Sequence, residues 1–206
     1  NPSLTPGVQQ FTGGAAGMVA RSNFGQRSFK YNPPEGYKAL CTDNLPDPLV
    51  DPRENFSAVT YTGDGSAEQH QEVGLAPDFV WIKDRGADYP HNLWDTVRGP
   101  QKLLESNSIG PESTQTDMLN SFDTGGFTHG QQNAIGKSGN QYVSWNFKAG
   151  GPAVPNNEGS IPSEVSVNKD MGFSVVKYTG NSTEGSTVGH GLGAVPQIII
   201  AKNLDI

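Results

Sequence analysis

Apolar residues in this chain come in short runs, either alternating with polar ones or continuous over four or five positions. The runs are separated by clusters of Gly, Pro, Asn, Asp and Ser. Such spacing predicts strands joined by turns. Strands are expected at Phe56 to Gly63, Phe79 to Ile82, Asn92 to Thr96, Met118 to Phe122, Phe127 to Gly130, Tyr142 to Phe147, Phe173 to Gly180 and Ile198 to Ala201, with one more near the N-terminus at Gln26 to Tyr31. Turns are expected at Asn32 to Tyr37, Asp123 to Gly126 and Lys137 to Asn140, whose residues tolerate or pre-set turn dihedrals. The one helix expected is a single turn over Gln101 to Ser106, where Lys102, Leu103, Leu104 and Glu105 favour it. Gly150 to Asn157 reads as a spacer without helix or sheet.

Two of these runs are copies of each other. Phe56-Ser57-Ala58-Val59-Thr60-Tyr61-Thr62-Gly63 matches Phe173-Ser174-Val175-Val176-Lys177-Tyr178-Thr179-Gly180, 117 residues later, at six of eight positions. Pro77 to Lys83 then matches Pro196 to Lys202 at an offset of 119, so the second copy carries a loop two residues longer. In each copy Ser57, Val59 and Tyr61, or Ser174, Val176 and Tyr178, share one strand face, because side chains alternate along a strand. Phe56 and Ala58 lie opposite, so a strand covered on both faces is expected. The continuous apolar partner runs suit central strands, with Pro77 or Pro196 just ahead of them, where a missing N–H does least harm.

The expected fold is therefore all-β: antiparallel β-sandwich repeats of jelly-roll or concanavalin-like type, with the chain incomplete at both ends. The expected divisions are residues 1–50, closing strands and linker of an earlier module; 51–150, a complete repeat; 151–158, a linker; and 159–206, the first part of a second repeat. A part-repeat cannot close its own core, so further chain or a partner is expected to complete it.

Composition narrows the function. Glycine (26) and proline (15) make up about a fifth of the 206 residues, and Leu, Ile, Val and Phe about another fifth, so the core is thin. A formal net charge of −7 disfavours nucleic acid and anionic membranes as partners. No apolar run is long enough to span a bilayer, and no membrane insertion is expected. The single cysteine, Cys41, can form neither an intrachain disulfide nor a thiolate metal site of its own, and reads as a small buried hydrophobe folded in the cytoplasm.

Asn23 to Pro46, with Phe24-Gly25-Gln26-Arg27-Ser28-Phe29 and Asn32-Pro33-Pro34-Glu35-Gly36-Tyr37, resembles the C-terminal end of the SPRY or concanavalin-like module of marine bacteriophage structural proteins. Tyr61-Thr62-Gly63, Trp81-Ile82-Lys83, Trp94-Asp95-Thr96-Val97-Arg98-Gly99, Ser121-Phe122-Asp123 through Phe127, and Val188 to Pro196 resemble the repeat that follows it there. The resemblance implies a virion component of the tail or its fibres, made in the bacterial host cytoplasm. Its implied work is rigid architecture and host attachment, by self-association as a homotrimer and contact with other tail proteins. Capsid decoration is a variant of the same reading, and a lectin-like module recognising host surface glycan is the alternative.

No cofactor or catalytic role is expected. Gly189-His190-Gly191-Leu192-Gly193 lacks the helix a phosphate loop needs and reads as a connection into a following strand. His70, His91, His129 and His190 have no metal-ligand spacing. Asp43, Asp47 and Asp51 lack the pattern of a calcium loop. Asp84, Asp88 and Asp95 would be the carboxylates of a glycosidase, but 21 acidic residues supply such sets without function. Trp81 and Trp145 lie inside strand patterns and read as core. The candidate contact for a glycan or partner is Tyr89, His91 and Trp94, at one end of the expected sandwich where loops carry function.

Overall fold

In the computed structural model, Tyr31, residues 34–38 and residues 50–205 are described. The chain divides into two units, Asn1–Pro48 and Leu49–Ile206. In the first unit, the Tyr37 N–H donates to the Pro34 carbonyl at 3.0 Å across Gly36, whose φ is +84°. The expected strand at Gln26 to Tyr31 and the environments of Cys41, Asp43 and Asp47 fall outside the described residues, apart from Tyr31 itself.

The second unit is all-β, and its named strand pairs are antiparallel. Its strands are β1 (Phe56–Thr62), β2 (Gln69–Glu72), β3 (Phe79–Asp84), β4 (Asn92–Asp95), β5 (Gly99–Glu105), β6 (Ser113–Thr114), β7 (Leu119–Phe122), β8 (Gly126–His129), β9 (Gln141–Phe147), β10 (Val154–Asn156), β11 (Ser163–Asn168) and β12 (Phe173–Tyr178). They form a six-stranded sheet in the order β1-β9-β3-β4-β5-β6, a three-stranded sheet β2-β8-β7 and a second three-stranded sheet β10-β11-β12.

Tyr61, Val80, Ile82, Trp94, Leu103 and Tyr142 of the six-stranded sheet meet Leu119 and Phe127 of β2-β8-β7 in one core. Each apolar side chain fully buried there contributes roughly 1.5–3 kcal/mol. Register follows the alternation. Tyr61 faces Tyr142 and Val80 faces Trp94, so each strand sends its even or odd set inward. The stacked Tyr61 and Tyr142 rings are 5.2 Å apart, and their hydroxyls donate to the Ile135 and Asn133 carbonyls at 2.9 and 2.7 Å, tying the loop before β9 to the core. Buried Gln69 adds a second tie. Its amide N–H donates to the Gly136 carbonyl at 2.8 Å, and its oxygen accepts from the Asp64 N–H at 2.8 Å.

The structure corrects several expectations. Residues 101–105 are strand, not helix. Leu104 pairs with Leu93 and Leu103 with Ser113, and sheet pairing overrides the helical preference of a segment too short to hold a helix. Phe56, Ala58 and Thr60 are exposed, so β1 is covered on one face only. The spacer contains β10, which pairs with β11. Ile198 to Ala201 is not a strand, so no strand follows the loop at Gly189 to Gly193. Its residues after β12 instead run toward the connection between β5 and β6, where the Glu112 N–H donates to the Leu204 carbonyl at 2.9 Å and the Lys202 ammonium donates to the Ser108 carbonyl. Aligned positions still keep local geometry, since Gly74 and Gly193 both have left-handed φ, +80° and +72°.

Candidate functional site

Trp94, taken from the sequence as an exposed contact, is fully buried at the centre of the core. It points inward because its partner Val80 does, and it leaves the contact set for that reason. Tyr89 and His91 lie half-buried in the loop between β3 and β4. Trp81 and Trp145, assigned to the core, stand half-buried on the outer face of the six-stranded sheet, opposite in phase to Val80 and Ser144. Their rings meet edge to face at 5.8 Å. The Trp81 indole N–H donates to His91 Nδ1 at 2.9 Å, so His91 carries its proton on Nε2 and is neutral. Burial, and then the nearby Lys83 charge, hold the His91 pKa below its ordinary value of 6.5.

The same outer face carries the junction between the six-stranded sheet and the β10-β11-β12 sheet. Phe147 stacks on Phe173 at 5.0 Å, and Phe56 and Phe79 pack against Phe147 at 4.8 and 5.8 Å. Phe173, which matches Phe56 in the internal sequence similarity, docks the first residue of β12 on the six-stranded sheet. Around this aromatic group, polar side chains clamp the connector. Buried Asp78 accepts through Oδ2 from the Ala149 N–H at 2.9 Å, the Gly151 N–H at 3.2 Å and the Lys148 ammonium at 3.1 Å. Ser166 accepts from the Gly150 N–H at 3.0 Å and donates to the Gly151 carbonyl at 2.7 Å, and Asn168 donates to Asn55 Oδ1 at 2.7 Å. These bonds hold the glycines in one path, so the connector is not a free spacer. Sequence inspection missed Asp78, Ser166 and Asn168. The only available signal was Asp78 directly after Pro77 at the entry to a central strand.

A family model for a domain of unknown function, DUF7483, matches residues 51–206. The chain belongs to this family. No curated protein and no solved structure matches the chain. In this DUF7483 chain the match starts at Asp51, which accepts from the Arg53 N–H at 2.9 Å and caps the 3-10 turn leading into β1. It continues without a break through the clamped connector into β12.

The remaining candidate carboxylates are committed locally. Asp84 is buried and accepts from the Gly86 and Ala87 N–H groups at 2.8 and 2.9 Å and from the Asn140 amide at 2.9 Å. Asp95 is paired at 2.6 Å with Arg98, whose other nitrogen reaches Glu112 at 3.1 Å, and all three hold the β4–β5 corner. Asp88 is exposed. Among the described residues no group of three metal-ligating side chains gathers.

His129 of this DUF7483 chain is fully buried beside Tyr61 and Phe127. Its Nδ1–H donates to the Gly130 carbonyl at 2.9 Å, which leaves Nε2 facing the Gln71 amide nitrogen at 3.2 Å as an acceptor. Burial pushes its pKa below 6.5, outweighing the Gly130 bond and the distant Asp64 charge. A histidine with a folded pKa below its unfolded one binds more protons unfolded, so its share of stability is complete above about pH 6.5 and is lost as pH falls toward the lowered folded value. Urea unfolding from about pH 7.5 to about pH 5 is expected to show this decline, and His129→Gln is expected to flatten its part of the slope. A slope unchanged by the substitution would mean that the imidazole titrates normally.

Proposed function

We propose that this chain is a non-enzymatic structural segment of a bacteriophage tail or tail fibre. The observation that carries the reading is the clamped, aromatic junction between repeats. Phe173 on Phe147, with Asp78 and Ser166 holding the connector, makes successive units a stiff array rather than beads on a string. Stiffness along a row of all-β units is what a fibre needs to transmit position and load. The resemblance of stretches covering most of residues 23 to 206 to a SPRY-type module and the repeat that follows it in marine phage structural proteins supports the same reading.

Antibody raised against this chain and applied to phage particles from its source is expected to place gold on tails. Gold on capsids would turn the reading to decoration, and particles without gold would overturn both. Light scattering is expected to give three times the chain mass, because a fibre role calls for a closed homotrimer. A stable monomer at micromolar concentration would sink obligate assembly.

A second reading, glycan recognition, is favoured by the half-buried Trp81 and Trp145 on the outer sheet face, with His91 bound to Trp81 and Tyr89 in the adjoining loop. Exposed indole faces stack on sugar rings. Binding on an array of bacterial surface polysaccharides is expected to be lost in Trp145→Ala and weakened in Tyr89→Ala. A blank array with the unsubstituted protein would remove this reading and leave the first intact.

A further inference from the structure

Equivalent residues meet different fates in the two copies. Tyr61 is 8% exposed, whereas its equivalent Tyr178 is 50% exposed. Val80 is fully buried at 0%, whereas its equivalent Ile199 is 77% exposed, flanked by Ile198 and Ile200 at 81% and 73%. One strand contributes directly to the difference, alongside the β2-β8-β7 sheet that also covers Tyr61. In the first copy β9 lies between β1 and β3, pairing with both and stacking Tyr142 on Tyr61. In the second copy β12 is the edge strand of its sheet.

Among the described residues no strand pairs with the outer edge of β12, and that edge is the one that β9 occupies on β1. Beside β1, the Lys148 N–H donates to the Asn55 carbonyl and the Gly63 N–H to the Asn140 carbonyl, so the backbone groups of Ser57, Val59 and Tyr61 point toward β9. At β12, the Gly172 N–H donates to the Asn168 carbonyl and Gly172 has φ +73°, the geometry of a glycine bulge that turns Phe173, Val175 and Lys177 toward β11. These are the equivalents of Phe56, Ala58 and Thr60. Ser174, Val176 and Tyr178, the equivalents of the β9-facing set, therefore present their N–H and C=O groups outward.

We infer that β12 is the acceptor edge for an antiparallel strand with the β9 pattern, supplied by another repeat unit of this kind. The inward positions of β9 are Tyr142, Ser144 and Asn146, and its outward ones Val143, Trp145 and Phe147. An occupant of that alternation covers Tyr178 with an aromatic ring and offers its far edge to Ile198 to Ala201, as β9 does to β3. Strand addition of this type draws affinity from main-chain bonds and register from the alternating side chains. Such an edge left open is a template for unwanted pairing. The acceptor edge rests on the internal repeat and not on the tail assignment, so either can fail alone.

A synthetic peptide spanning residues 139–149 tests it. Titrated into the intact protein, the peptide is expected to saturate and to slow amide exchange at Ser174, Val176 and Tyr178, while the amides of β11 keep their rates. The same peptide with Ser144 replaced by proline lacks an N–H on the β12 side and is expected to bind about tenfold more weakly or less. No slowing at those three amides, or equal slowing by both peptides, would overturn the inference. So would slowing at those amides that rises with protein concentration in the absence of peptide, since the occupant would then be β12 of a second copy.

Discussion

Trp94→Ala is expected to lower the stability of the second unit by about 3–5 kcal/mol, the range for removing a large aromatic from a packed core. The indole is fully buried, faces Val80 across the β3–β4 pair and belongs to the core shared by two sheets, so the space it leaves can close only by shifts of packed neighbours. Trp94→Phe sharpens the test. The indole N–H has no hydrogen-bond partner among the described residues, and an unpaired buried donor costs roughly 1–3 kcal/mol. The phenylalanine variant gives back part of its lost packing by removing that donor, and is expected to stay within about 2 kcal/mol of the parent. Denaturant midpoints at constant slope measure both. A loss below about 1 kcal/mol for the alanine variant would show that the ring is not in the core.

Asp78→Ala is expected to cost about 2–4 kcal/mol and to free the connector between β9 and β10. One carboxylate oxygen serves two N–H groups and the Lys148 ammonium, and the side chain is only 5% exposed, so its removal takes the acceptor from the Ala149 and Gly151 N–H groups and leaves Lys148 to water. Amide exchange at Ala149 and Gly151 is expected to accelerate, while exchange at Ile82 in the core slows or speeds only with global stability. Asp78→Asn keeps an acceptor but sets an amide N–H₂ near the Lys148 charge, and is expected to fall between the two. If exchange at Ala149 and Gly151 is unchanged in Asp78→Ala, the junction is held by Phe173 packing alone.

Most strands could be read in advance, although β11, where Val165 and Val167 alternate with polar residues, was not among them. β1, β3, β4, β7, β8, β9 and β12 lie where period-two or continuous apolar runs put them, because those runs must find a nonpolar surface and a ladder partner. β2, with its Gln69-His70-Gln71-Glu72 sequence, carries no apolar signal at all, and only its place beside β8 makes it strand. Leu103 and Leu104 misled for a related reason: adjacent leucines suit a helix turn locally, yet in β5 they serve opposite faces of the sheet. The tryptophans were assigned to the wrong sides. Trp81 and Trp94 both sit in apolar strands, and alternation says only that neighbours oppose each other, not which face another sheet will cover.

From its sequence alone, this protein is an all-β chain with antiparallel turns and an element used twice, because alternation, turn chemistry and self-similarity are local properties carried by neighbouring residues. Only the tertiary structure decided which face of each strand is buried, that Asp78 and Ser166 clamp the connector, and that Tyr178 stands open where Tyr61 is closed. Those outcomes depend on residues tens of positions apart arriving at one place, and nothing in the order of neighbours encodes which strand arrives beside β1 and not beside β12.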